Sequence, residues 1–254
     1  MKTIVFLLAV FSLAVAQKPP VKSNRQVLLD FRVQRNAAPP RIPNATQRTV
    51  LSKVFRRYLT DDNKCNPQFD AGQSNDRLAS ARRAGQIVPL INDVVNGSFT
   101  APGQTQTLYV IAVNECNATH ADNFGTKRVA IFSGQQLVAD VDVEFKSRIV
   151  RKTDLDGDGV DELLMTTSDM GQGTYIAMAT LVSFQNGRHR AIEEFGTVIE
   201  DSCATGRPKS TTRASVLYLT EAAPGKMPRL SMENYESPCS TRKRWRFVSS
   251  GRMQ

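Results

Sequence analysis

A mainly β fold is what this sequence predicts: an antiparallel meander forming a β-sandwich-like or partial propeller-like body, with a short N-terminal helical region. Two features carry that expectation. From Thr107 onward, short apolar segments with strand-like alternation recur at 108–113, 128–132, 136–141, 143–150, 162–167, 174–184, 189–200, 214–220 and 229–235. Turn residues separate many of them, including Ser133-Gly134 and Gln185-Asn186-Gly187. Asn-Gly is a hairpin signal because both central residues of a type I′ turn need positive φ. A complete seven-bladed propeller would need about twice this length, at roughly 40–45 residues per blade.

In chain order, Lys2 precedes the apolar stretch 4–15, and Ala14-Val15-Ala16 is a small-x-small cleavage pattern. Residues 1–16 therefore read as a secretory signal peptide. No later apolar run approaches the ~20 residues of a membrane span, so the mature chain is expected to be secreted, extracellular or periplasmic. Residues 17–49 are rich in Pro, Asn, Gln and Arg with little periodicity, which predicts a basic disordered or extended linker. Within the following 50–106 helical region, Val50, Leu51, Val54, Phe55 and Tyr58 recur at helical spacing, and 76–84 reads as a second helix. The β domain then occupies 107–254.

Charge divides the same way. Residues 18–85 hold 14 Lys and Arg against 5 Asp and Glu, whereas 86–254 hold 18 against 19, so the formal +9 lies in the N-terminal third. That excess suits an anionic cell-envelope polymer or membrane surface as partner. Nucleic acid is not expected, given export and no recognition motif.

Cys65, Cys116, Cys203 and Cys239 are even in number and lack Cys-x-x-Cys spacing, which favours disulfides in an exported chain. If 192–200, 214–220 and 229–235 are successive meander strands, the third ends where the first stops. Cys203 then meets Cys239, and Cys65 is left for Cys116.

The most informative nine residues are Asp-Leu-Asp-Gly-Asp-Gly-Val-Asp-Glu at 154–162. Calcium takes about six to eight oxygens at ~2.3–2.6 Å, and alternate residues of a tight turn can bring carboxylates to one point. The predicted metal ligands are Asp154, Asp156, Asp158, the carbonyl of Val160, and Glu162, with Gly159 at the sharp bend. An EF-hand is excluded because its twelfth position, normally a bidentate Glu, is Met165. The segment 153–165 resembles the calcium-binding blade loops of FG-GAP/VCBS repeats, known from integrin α-subunit propellers and secreted bacterial proteins. The resemblance implies a calcium loop between two strands, with Glu162 where those loops usually carry Asp. It spans about a dozen residues, and no second copy of the motif occurs. The alternative is a solvated acidic turn without metal.

Other chemistry is sparse. His120, in Glu115-Cys116-Asn117-Ala118-Thr119-His120-Ala121-Asp122, has carboxylates on either side, but no serine elbow or His-Glu-x-x-His helix accompanies it. His189 reads as an exposed strand residue. Glu193 and Glu194, as strand neighbours, face opposite ways and cannot flank one glycosidic bond. In 242–247, Trp245 and Phe247 alternate with cations, as in a half-buried terminal strand facing them inward or a polyanion grip. Asn44, Asn96 and Asn117 begin glycosylation sequons, relevant in a eukaryotic host.

The expected function is thus a secreted calcium-binding protein acting as a non-catalytic binding or envelope-associated module. The alternatives are a secreted hydrolase with a site near His120 and a purely structural exported domain.

Overall fold

The computed structural model describes residues 25–33, 40–55, 90–112, 127–143, 148–220, 225–241 and 244–252. Strand β1 (Arg25–Asp30) and helix α1 (Asn44–Val54) come first. A four-stranded sheet follows, β2 (Leu90–Gly97), β3 (Gln106–Ala112), β4 (Lys127–Ser133) and β5 (Gln136–Asp142), paired antiparallel in chain order. Next come β6 (Arg148–Thr153), β7 (Glu162–Gly171), β8 (Thr174–Ser183), β9 (Arg190–Asp201), β10 (Thr211–Thr220), β11 (Arg229–Pro238) and β12 (Arg246–Arg252). These also pair in order, and β1 joins them at β10 as an eighth strand. The body is a sandwich-like antiparallel meander.

Three layers result. Helix α1 buries Val50 and Leu51, with Phe55 just beyond its end, against Ile91, Ile111, Ala130 and Phe132 on the outer face of the small sheet. The inner face, with Leu108, Val110, Val129 and Ile131, packs on Leu163, Met165 and Val182 of the large sheet. The alternation Val110/Ile111 and Val129/Ala130 is the period-two pattern of a sheet covered on both sides. Beyond, Leu164, Ala177, Ala179, Leu181, Phe195, Val198, Ala214 and Leu217 form another core on the large sheet's opposite face. Three register shifts along β8–β9 add the local twist that bulges bring.

The hairpins form where turn chemistry indicates. Asn186 and Gly187 have φ of 57° and 70°, between Ser183 and its partner Arg190. The disulfide Cys203–Cys239, with Cα atoms 5.5 Å apart, closes the end at which Asp201 pairs with Thr212 and Thr211 with Pro238. This is the expected meander order. Cys65, Cys116, His120 and the 76–84 helix lie outside the described residues.

Three expectations are corrected. Within 17–49, residues 25–30 form a paired strand, and α1 begins at Asn44, so that segment is not simply a linker. The helix begins early because the Pro43 carbonyl accepts the Gln47 N–H at 3.0 Å; apolar spacing revealed only the part from Val50. Within 50–106, 90–97 is strand; a bulge between Ile91 and Asp93 disrupts its alternation. Phe247, expected inward, is 58 % exposed, while Trp245 packs on the core.

Strand β1 occupies a gap. β9 pairs with β10 only over Thr212–Ala214, and β1 takes the next stretch, Val216–Thr220. Leu28 and Phe31 are buried among Leu217, Leu230 and Phe195. On the other side, Arg25 lies 4.0 Å above the Tyr218 ring and 2.9 Å from Glu233, which also accepts the hydroxyls of Tyr218 (3.0 Å) and Tyr235 (2.7 Å). Arg32 sits 4.2 Å over Tyr235 and pairs with Asp30 at 2.7 Å. Burial raises the Glu233 pKa, but donors from Tyr235, Arg25 and Tyr218 outweigh it, so the carboxyl is held below its ordinary 4.5.

Two predictions follow from this clamp. Leu28→Ala should cost about 2–5 kcal/mol in denaturant unfolding, as for a core leucine; a neutral effect would mean that β1 is not part of the folded sheet. A lowered folded pKa adds stability above the unfolded value that is lost as pH falls through the folded one. Chemical denaturation should therefore show the wild-type advantage over Glu233→Gln present above the ordinary carboxyl value of 4.5 and shrinking as pH falls below it.

Candidate metal site

The acidic loop joins β6 to β7, and its own backbone shapes it. Asp154 accepts the Gly157 N–H through Oδ1 (2.8 Å) and the Gly159 N–H through Oδ2 (3.0 Å). Asp156 accepts from Asp158 N (3.2 Å), and Asp158 from Val160 N (2.7 Å). These are the Asx turns that short carboxylates favour. Gly157 and Gly159 have φ of 76° and 84°, a region costly for residues bearing a Cβ. The Thr153–Glu162 pair closes the loop's neck.

Asp154, Asp156 and Glu162 each offer an oxygen within 4.8 Å of the others. Glu162 is 3 % exposed and accepts the Leu155 N–H at 2.9 Å. Its pKa is pushed up to about 7, chiefly by burial, against the Leu155 hydrogen bond and with repulsion from Asp156, Asp158 and Asp154 adding to the rise. Among the described residues, no Lys or Arg pairs with Asp154, Asp156 or Glu162. Asp158 stands apart from that three-carboxylate group, its Oδ2 accepting Gln185 Nε2 at 3.0 Å. Val160 has a fully buried side chain.

Sequence reasoning missed how the loop is anchored. Asp161 N donates to Ser98 O at 2.6 Å, and Asp161 Oδ2 accepts the Ser98 N–H (2.8 Å) and Lys152 Nζ (3.2 Å). The loop is thereby tied to the turn after β2. Gly225 N donates to Asp156 O at 3.1 Å, which ties it also to the β10–β11 connection. Gly97 gives Asp161 room: a Cβ there would lie 2.4 Å from Asp161 Oδ2 and 2.8 Å from Phe99 Cζ. Ser98 and Asp161 are 63 residues apart, so no local pattern could have connected them.

The remaining candidates resolve plainly. His189 is half-buried before β9 begins, its ring 5.7 Å from that of Phe184, rather than an exposed strand residue. Glu193 has a raised pKa from burial and from Glu194. Asp201, Cys203 and Cys239 also cluster, but both sulfurs are in the disulfide. No helix among the described residues is long and apolar enough to cross a membrane. No protein-family model matches this chain, and no curated protein matches it.

Gly97→Ala should destabilise the protein by about 1–3 kcal/mol through overpacking, measured by thermal or denaturant unfolding. Combining it with Asp161→Ala, which removes the crowded oxygen, should cost less than the two single changes together; strict additivity would show that the two residues do not meet.

Proposed function

We propose that this chain is an exported β protein that binds one calcium ion at 154–162 and acts as a non-catalytic binding or envelope-associated module. The observation that carries the metal assignment is Glu162: a buried carboxyl, close to Asp154 and Asp156, with no described cation beside the three. Burying such a group ionised is costly unless a positive charge compensates. Oxygen-only donors suit a hard cation, and the glycine-bent loop suits calcium's irregular coordination better than the strict octahedron of magnesium. Asp154, Asp156 and Glu162 would supply direct ligands, Asp158 a ligand or a water-mediated one through its Gln185-held carboxylate, and the Val160 carbonyl a further oxygen. Calcium would neutralise the crowded carboxylates and stiffen the loop where the turn after β2 and the β10–β11 connection attach.

Export rests on the 1–16 segment, with cleavage after Ala16. The N-terminal basic segment remains the proposed contact with an anionic envelope polymer or membrane surface. Since Arg25 and Arg32 already pair with Glu233 and Asp30, its adhesive charge falls to Lys18, Lys22, Arg35, Arg41 and Arg48.

Calcium at a hundredfold excess over its dissociation constant should stabilise the fold by about 2.7 kcal/mol, a rise of roughly 5–10 °C in melting temperature for a chain of this size. Chelator should reverse it, and Asp156→Asn should abolish most of it. An unchanged melting temperature on chelation, or an undiminished response in Asp156→Asn, would overturn the assignment.

A further inference from the structure

Among the described strands, the large sheet ends at β12 in an edge with no further partner, whereas its β6 edge and the two edges of the small sheet meet other elements. The β2 edge meets β6, where Asp93 Oδ2 accepts the Ile149 N–H at 2.9 Å and Arg148 Nε at 3.2 Å. Near the β5 edge, Lys53 Nζ donates to the Gln135 carbonyl, and Gly187 approaches Val138 O and Ala139. β12 has only β11 as a partner among the described strands, and 246–251 is exposed throughout, with Phe247 at 58 % and Val248 at 52 %. Proteins blunt such an edge with proline, charge or a bulge. Here charge is confined to the strand ends, Arg246 and Arg252, and the register shifts at Val248, while 247–251 reads Phe-Val-Ser-Ser-Gly with no proline and no charge.

Charge says which occupant fits. Residues 242–254 contain Arg242, Lys243, Arg244, Arg246 and Arg252 and no Asp or Glu. Arg244 and Arg246 make no ion pair among the described residues, and Glu236, across from Arg246, is oriented to Arg213 at 3.8 Å. Antiparallel self-pairing centred on Ser249 would set Arg246 against Arg252, a repulsive cross-strand pair. A second copy of the chain is therefore a poor occupant in that register.

We propose that β12 is a strand-addition site for an extended segment of a partner protein, with acidic residues flanking a short β-branched stretch. Backbone hydrogen bonds along 246–252 would provide the pairing, and the arginines would select the acidic ends. Val248, skipped by the β11 register, would lie beside the added strand.

The test uses the intact mature chain and a capped peptide as long as β12, 7 residues, with glutamate at both ends and alternating valine and threonine between. Fluorescence anisotropy should show saturable binding, and hydrogen exchange should slow within 246–252. Proline at the peptide's centre, with the charges kept, should weaken binding by about tenfold or more, as should Arg244→Gln with Arg246→Gln. Both arginines are exposed, so that variant should melt as the wild type does; the proline peptide tests the pairing without altering the protein. No binding overturns the proposal. Equal affinity for the proline peptide, with displacement by polyphosphate, also overturns it in favour of charge alone. Sedimentation showing a peptide-free dimer that the arginine substitutions dissociate would overturn it in favour of self-association.

Discussion

The structure depends on burying the start of β7 on both faces. Leu163, Leu164 and Met165 are each fully buried, Leu163 and Met165 toward the small sheet and Leu164 toward the opposite core. Each such side chain removed from water contributes about 1.5–3 kcal/mol, and alternation along one strand serves two cores at once. Glu162, the residue before this run, is consequently drawn under cover with it. The raised Glu162 pKa is thus a cost of the packing that stabilises the sandwich, and a cation at the loop would offset it.

The sheets are also joined by polar contacts along one seam. Asp93 reaches from β2 to the Ile149 N–H and Arg148 of β6, and Asp161 reaches from the acidic loop to the Ser98 N–H beyond β2. Carboxylates accepting backbone N–H groups make charge-assisted bonds, stronger than neutral ones. One contact lies at mid-strand and the other just beyond the end of β2, so together they resist sliding of one sheet over the other. Asp161 is the last loop residue and Glu162 the first of β7, and the two neighbouring acids take different partners: Asp161 holds the small sheet while Glu162 lies among the loop carboxylates.

What the sequence revealed follows from how local each signal is. The C-terminal meander was legible because its strands alternate, its turns carry Asn-Gly or glycine, and its order brings Cys203 to Cys239. The loop carboxylates were legible because they are spaced along one short run. Strands β1 and β2 were not: bulges at Val27–Leu29 and Ile91–Asp93 break their alternation, and β1 gains its place from a gap formed about 190 residues later. Asp161 and Gln185 were invisible for the same reason, since their partners come from other elements. Phe247 was misread because alternation shows which residues of a strand share a face, not whether anything covers that face, and 246–251 is exposed throughout.

The most direct test of the central claim is the number of calcium ions bound per chain, measured by equilibrium dialysis against radioactive calcium in millimolar magnesium. One ion per chain, lost when Asp154 and Glu162 are replaced by Asn and Gln, is the predicted result. No calcium retained above the magnesium background, or an undiminished ion in that double variant, would contradict it.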